Sequence, residues 1–191
     1  MGNRHHAGIV LDYQAGGMLV LALPHTQQGV SLVELMIGLV IAGILLGIGA
    51  PALSVWIQNG KIRAAAESIQ NGLQLTRAEA VRRNSYVRFS LSGTSNVNSY
   101  WTVGCFPVDP LSCPDTTIES HSANEGTSST IVNSNVASVT FNGLGRTTAG
   151  GATINVTNST GGSALRVVVS SFGQVRMCDP AYSYATNPKG C

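Results

Sequence analysis

A small residue, a hydroxyl and an acid stand together at the front of a long apolar run. Gly29, Ser31 and Glu34 are followed by Leu35 to Ile57, a stretch without a single charge. More than about 18 apolar residues in a row can cross a bilayer as a helix. An ionisable side chain at the front of such a run is costly, so it usually has a partner or a task. The three residues form a compact pattern at the expected membrane edge.

The other residues able to do chemistry are few. The histidines are His5, His6, His25 and His121. An adjacent pair such as His5–His6 can suggest metal, but here it lies in an N-terminal stretch expected to be removed. His121 sits in a Ser/Asn-rich stretch expected to be loop, with no predictable partner, so no nucleophile–base arrangement is legible. Gly143-Leu144-Gly145-Arg146 lacks the spacing of a phosphate loop and a following helix, and reads as a hairpin turn. Asp109, Asp115, Glu119 and Glu125 lack EF-hand spacing. No catalytic residue, metal or cofactor is expected, and the chain is not read as an enzyme.

Four cysteines, Cys105, Cys113, Cys178 and Cys191, all follow the apolar run and form no C-x-x-C pair. An even number beyond a membrane segment reads as disulfides in an oxidising compartment. Of the three connectivities, local pairing of Cys105 with Cys113 and Cys178 with Cys191 is preferred. Each short loop so closed stabilises the fold by roughly 2–3 kcal/mol.

The elements that position these residues follow from composition and period. The 191 residues carry a formal net charge of +2, and charged residues make up 10% of them, against roughly 25% in ordinary soluble domains. Bulk charge therefore selects no partner. Its distribution is uneven: Lys61 to Arg88 is mainly basic, and Cys105 to Glu125 has acids but no Lys or Arg. Ile62, Ala66, Ile69, Leu73, Thr76 and Ala80 recur at three- and four-residue spacing, the apolar face of an amphipathic helix. Asn59-Gly60 and Asn71-Gly72 weaken that helix without breaking it, and Asn84-Ser85 ends it near Arg83. Arg77, Glu79, Arg82 and Arg83 read as its solvated face. Pro51 removes a helical hydrogen bond and is expected to kink the membrane half.

After Asn84 the period becomes two. Tyr86–Leu91, Tyr100–Gly104, Thr130–Val132, Ala137–Phe141, Ala152–Thr157, Leu165–Ser170 and Gln174–Cys178 read as strands, punctuated by glycine-containing turns. Phe106 to Gly126 reads as a long acidic surface loop. The fold class is α+β: a long N-terminal helix packed on an antiparallel sheet or small β-sandwich head.

The segment GVSLVELMIGLVIAGILLGIGAPAL resembles the N-terminal signature of type IV pilins and pseudopilins. The resemblance implies that a membrane prepilin peptidase cuts between Gly29 and Val30, that Val30 is N-methylated, and that Glu34 is required for assembly. It also implies a pilin-like fold and a proline-loosened helix at Pro51. A valine replaces the phenylalanine usual at the new N-terminus. A signal peptide cut after Ala50-Pro51-Ala52 is the competing reading, but signal cores are about 7–15 residues long. The leader is long for this family, and translation beginning at Met18 is an alternative.

Residues 69–84 (IQNGLQLTRAEAVRRN) resemble a segment of the GspH/FimT branch, with Leu75, Arg77, Glu79, Ala80, Arg82 and Asn84 fitting its pattern. DNA-uptake members of that branch carry a Gly-Arg-x-Arg motif. Gly173-Gln174-Val175-Arg176 keeps its glycine and second arginine. Arg146, Arg176 and Lys189 are therefore candidate DNA contacts, while scattered surface charge is the plainer reading.

These readings divide the chain into a removed leader (1–29), a transmembrane helix (30–57), an amphipathic helix (58–84) and a disulfide-bonded periplasmic head (85–191). The expected function is a minor pilin or pseudopilin, a subunit of a type IV pilus tip or priming complex. Alternatives are a GspH-like pseudopilin of type II secretion and a DNA-binding tip module. The expected partners are other pilins, the prepilin peptidase and the bacterial inner membrane, with DNA as a further candidate.

Overall fold

The structure is a computed structural model. It describes residues 29–191 except 126 and 128, and says nothing of the side chains of residues 48–52. The expected leader, with His5, His6, His25 and Met18, lies outside the described residues. So does the Pro51 kink. The chain divides into two compact units, Met1–Gly43 and Ile44–Cys191.

In the first unit, the Leu35 amide donates to the Ser31 carbonyl at 3.1 Å, opening helix α1 (Leu32–Arg83). Glu34 lies in the first turn, where a negative charge complements the helix dipole. Ser31 and Glu34 have the S-x-x-E spacing of a helix start.

In the second unit, α1 ends in a Schellman motif. The Ser85 amide reaches the Ala80 carbonyl at 3.1 Å and the Asn84 amide reaches Val81 at 3.2 Å. Asn84 takes φ +48°, a left-handed conformation that asparagine tolerates better than most residues.

Among the described residues eight strands follow: β1 (Val87–Leu91), β2 (Trp101–Cys105), β3 (Glu119–His121), β4 (Thr130–Ser134), β5 (Ser138–Phe141), β6 (Ala152–Asn158), β7 (Leu165–Val169) and β8 (Val175–Cys178). They form two four-stranded antiparallel sheets, ordered β3-β2-β1-β5 and β4-β6-β7-β8. Register follows the pleat. In β1, Val87, Phe89 and Leu91 are buried while Arg88 and Ser90 are half-buried. All six residues of the expected helix face are fully buried, joined by Ala65. All but Thr76 share one core with Phe89, Trp101, Val103, Phe141, Ile154, Val156 and Val167.

Three expectations need correction. The segment Phe106 to Gly126 is not all loop, because β3 pairs Glu119–His121 with Val103–Trp101. Its burial is slight, so no hydrophobic alternation announced it. Gly72 is not merely a weak point in the helix. A Cβ there would come within 2.8 Å of Phe89 Cε2 and 3.1 Å of the Trp101 ring, so its bare backbone makes room for the two aromatics. The charged face of α1 is not simply solvated. Glu79 accepts from Arg82 and Arg83, and Arg83 also reaches Asp115 at 2.8 Å.

The cysteines pair locally, Cys105 with Cys113 and Cys178 with Cys191. The first staples the turn after β2, where the Asp109 and Cys113 backbones also pair. The second ties the C-terminal residue to the end of β8.

Candidate functional site

Gly29 and Val30 precede α1, and Val30 is 70% exposed. Glu34 is exposed, and among the described residues no hydrogen bond or ion pair reaches its carboxylate. The large apolar side chains around it (Leu32, Val33, Leu35, Met36 and Ile37) are exposed as well. The same holds within the second unit for Ile44, Leu45, Leu46, Leu53, Val55 and Trp56. Contiguous exposed apolar surface of this kind marks contact with a membrane or another protein. The expected transmembrane helix, residues 30–57, includes residues 48–52. Among the described residues, no helix is long and apolar enough to cross a membrane.

At the other end of α1, two turns meet on the helix. The turn 142–146 returns β5 to a bridge between Phe141 and Thr147. The turn 170–173 joins β7 to β8, with the Gly173 amide donating to the Ser170 carbonyl at 2.9 Å. Arg77 Nε donates to the Gly145 carbonyl at 3.2 Å. Gly173, at φ +81°, lies so close to that carbonyl that a Cβ would stand 1.9 Å from it. Gly173 therefore has a structural task, independent of any nucleic-acid motif. Helix periodicity could not reveal the Arg77 contact, because its partner is 68 residues away.

The candidate DNA contacts do not share one set of partners. Arg146 is exposed, its guanidinium 5.6 Å from the centre of the Phe172 ring. Arg176 is half-buried on β8, 5.2 Å from the Tyr184 ring, and donates to the Cys191 carbonyl at 3.3 Å. Lys189 is exposed beside the C-terminal disulfide.

His121, expected in a loop without a partner, instead ends β3. Its ring stacks on Trp101 at 5.7 Å and its Nδ1 lies 3.1 Å from Glu125 Oε2. Trp101 in turn donates to Ser68 Oγ at 2.9 Å. No hydrogen-bond partner meets the buried Nε2 of His121 among the described residues. The described residues also hold no cluster of three or more metal-ligating side chains.

Charge inside the second unit is arranged around Glu79 and Arg83. Hydrogen bonding from Arg82, reinforced by Arg83, holds the Glu79 carboxyl below the usual carboxylate range. Glu79 and Asp115 push the Arg83 guanidinium up. Burial pulls Arg88 down, its guanidinium lying 3.0 Å over the Phe106 ring. The Ser112 hydroxyl, with the Leu111 amide, lowers Asp109.

Residues 65–173, more than half the chain, match the family described as Type II transport protein GspH. Residues 24–50 match the prokaryotic N-terminal methylation motif. No curated protein matches the sequence. Among solved structures, the chain is similar in fold to the type IV minor pilin FimU of Pseudomonas aeruginosa (strain PAO1) in two crystal forms. In space group P65 the TM-score is 0.50 at 15% identity, covering 63% of this chain and 94% of that one. In space group P21 it is 0.53 at 14% identity, covering 66% and 95%.

Proposed function

The chain belongs to the GspH family of pilin-like proteins, and we propose that it is a non-catalytic structural subunit of a type IV pilus, at the tip or in the complex that primes growth. The coarser role, minor pilin or pseudopilin, follows from the family and the N-terminal methylation motif. One observation carries the assembly reading: Glu34 stands in the first turn of α1 among exposed apolar side chains, Leu32, Val33, Leu35, Met36 and Ile37. In this reading a prepilin peptidase cuts between Gly29 and Val30 and Val30 is N-methylated. The helix then anchors the chain in the bacterial inner membrane, with residues 85–191 in the periplasm. The two disulfides suit that oxidising compartment. Once assembled, Glu34 meets the Val30 ammonium of a neighbouring subunit. Each charge alone is costly in an apolar bundle, so their pairing sets the axial register.

A second reading, a pseudopilin of type II secretion, is favoured by the description of the matching family. Deleting the gene separates the two: the pilus reading expects loss of surface pili with secretion intact, and the secretion reading expects the reverse. The processing reading is tested by the N-terminal peptide mass of the protein from its native membrane. A chain starting at N-methylated Val30 is expected. A chain starting near Leu53 would mean an ordinary signal peptide and would end the pilin reading.

A further inference from the structure

The edge of the second sheet is only partly closed. β8 is its last strand and pairs with β7 alone. The Ser170 amide donates to the Gln174 carbonyl at 2.9 Å. Antiparallel ladders alternate hydrogen-bonded and non-bonded pairs. The pairs Val168–Arg176 and Arg166–Cys178 are therefore the bonded ones, and the backbone groups of Val175 and Met177 face away from β7. The next outward residue, Asp179, is already met by the C-terminal segment. Its amide donates to the Lys189 carbonyl at 2.8 Å, and its carbonyl accepts from Cys191 at 3.3 Å. Asp179 and Gly190 form a parallel bridge. The tail runs parallel to β8 and meets it at Asp179; among the described residues no backbone hydrogen bond from the tail reaches Val175 or Met177.

A groove runs beside that open edge, walled by Arg77, Ala78, Val81 and Arg82 of α1 and by Val175 of β8. Its aliphatic lining is flanked by two guanidiniums. Where the 142–146 and 170–173 turns meet, Leu144 is 79% and Phe172 71% exposed, with Arg146 beside the Phe172 ring. Glu79, the acid on this part of α1, is already bonded to Arg82 and Arg83.

We propose that this edge takes an extended segment of a different polypeptide as an added strand, with aliphatic and acidic side chains on the face toward α1. Its backbone pairs with Val175 and Met177, as strand addition to an open edge does. Its aliphatic side chains rest on Ala78, Val81 and Val175, and its carboxylates meet Arg77, Arg82 and Arg146. This chain's own acidic turn is a poor occupant from a second copy. Asp109–Cys113 is folded on itself and closed by the Cys105–Cys113 disulfide, so it cannot lie extended.

The test uses the full chain in detergent micelles, followed by amide hydrogen exchange and binding titration. The probe is a blocked heptapeptide in which valine, glutamate and valine alternate with threonine; the control replaces glutamate by lysine. Saturable binding of the acidic probe is expected, with slowed exchange at Val175 and Met177. Arg82→Glu should weaken that binding about tenfold. Val175→Pro removes one outward donor, is tolerable on an edge strand, and should abolish binding. Equal binding of the lysine peptide, or unchanged exchange at both amides, overturns the proposal. So does concentration-dependent protection of these amides without peptide, which would make a second copy the occupant.

Discussion

Arg77 of α1 donates from its Nε to the main-chain carbonyl of Gly145, 68 residues further along the chain. Gly173 packs against the same carbonyl. One helix side chain thus holds two separate turns together. Gly173→Ala would meet the Gly145 oxygen and also force a side chain into a left-handed conformation. It should cost ~3 kcal/mol. Arg77→Ala loses only one hydrogen bond from a charged donor and should cost ~1–2 kcal/mol. Thermal melts of the two variants should rank in that order.

The same substitution at two helix glycines should have opposite signs. A Cβ at Gly60 meets nothing within 4 Å, so Gly60→Ala should stabilise by roughly 0.5–1 kcal/mol through helix propensity. Gly72→Ala gains the same propensity but presses on Phe89 and Trp101. Overpacking of ~1–3 kcal/mol should leave it net destabilised. Equilibrium unfolding in denaturant reads both, and a stabilised Gly72→Ala would contradict the packing.

Cys191→Ser opens a loop of sequence separation 13. It should cost ~3 kcal/mol and release the tail from β8. Adding reductant to this variant should lower its melting temperature further, because the Cys105–Cys113 bond remains to be cut.

Hydrogen bonding from Arg82 and then Arg83 lowers the Glu79 pKa below its reference value of 4.5. A group depressed in the folded state adds stability that is fully present above the unfolded pKa and lost as pH falls through the folded one. Stability should therefore decline as pH drops from about 4.5. Glu79→Gln should be less stable at neutral pH and show a shallower acid decline. An unchanged acid slope in a pH series of melts would refute the coupling.

Glu34→Ala should leave membrane insertion and leader removal intact but exclude the chain from filaments. Fractionation into membrane and sheared-filament pools reads this directly. Normal incorporation of the variant would remove Glu34 from the assembly mechanism.

Much of the helix could be read in one dimension because its signals are local. The face from Ile62 to Ala80 repeats with the helical period, and its six expected residues are all fully buried. Asn84 ends α1 through a motif spanning only a few residues. Seven of the eight strands carried alternation or β-branched runs. The eighth, β3, is short and barely buried, so its pairing with β2 was visible only once the sheet existed. Chain order also left the partition into two sheets open, because adjacent strands in sequence need not be neighbours. β4 pairs with β6 while β5 joins β1 in the other sheet.

The amino-acid sequence by itself determined the Gly29–Glu34 pattern, the apolar run and the amphipathic helix. Each of these depends on spacing within a few turns of one element. Only the tertiary structure decided what Arg77, Gly72, Gly173 and His121 do. Their partners lie far away along the chain, and long-range contacts of irregular turns have no period to announce them. The open edge at Val175 and Met177 belongs to this second group. Among the described residues the tail, pinned by Cys191, pairs with β8 at Asp179 and not at those two residues.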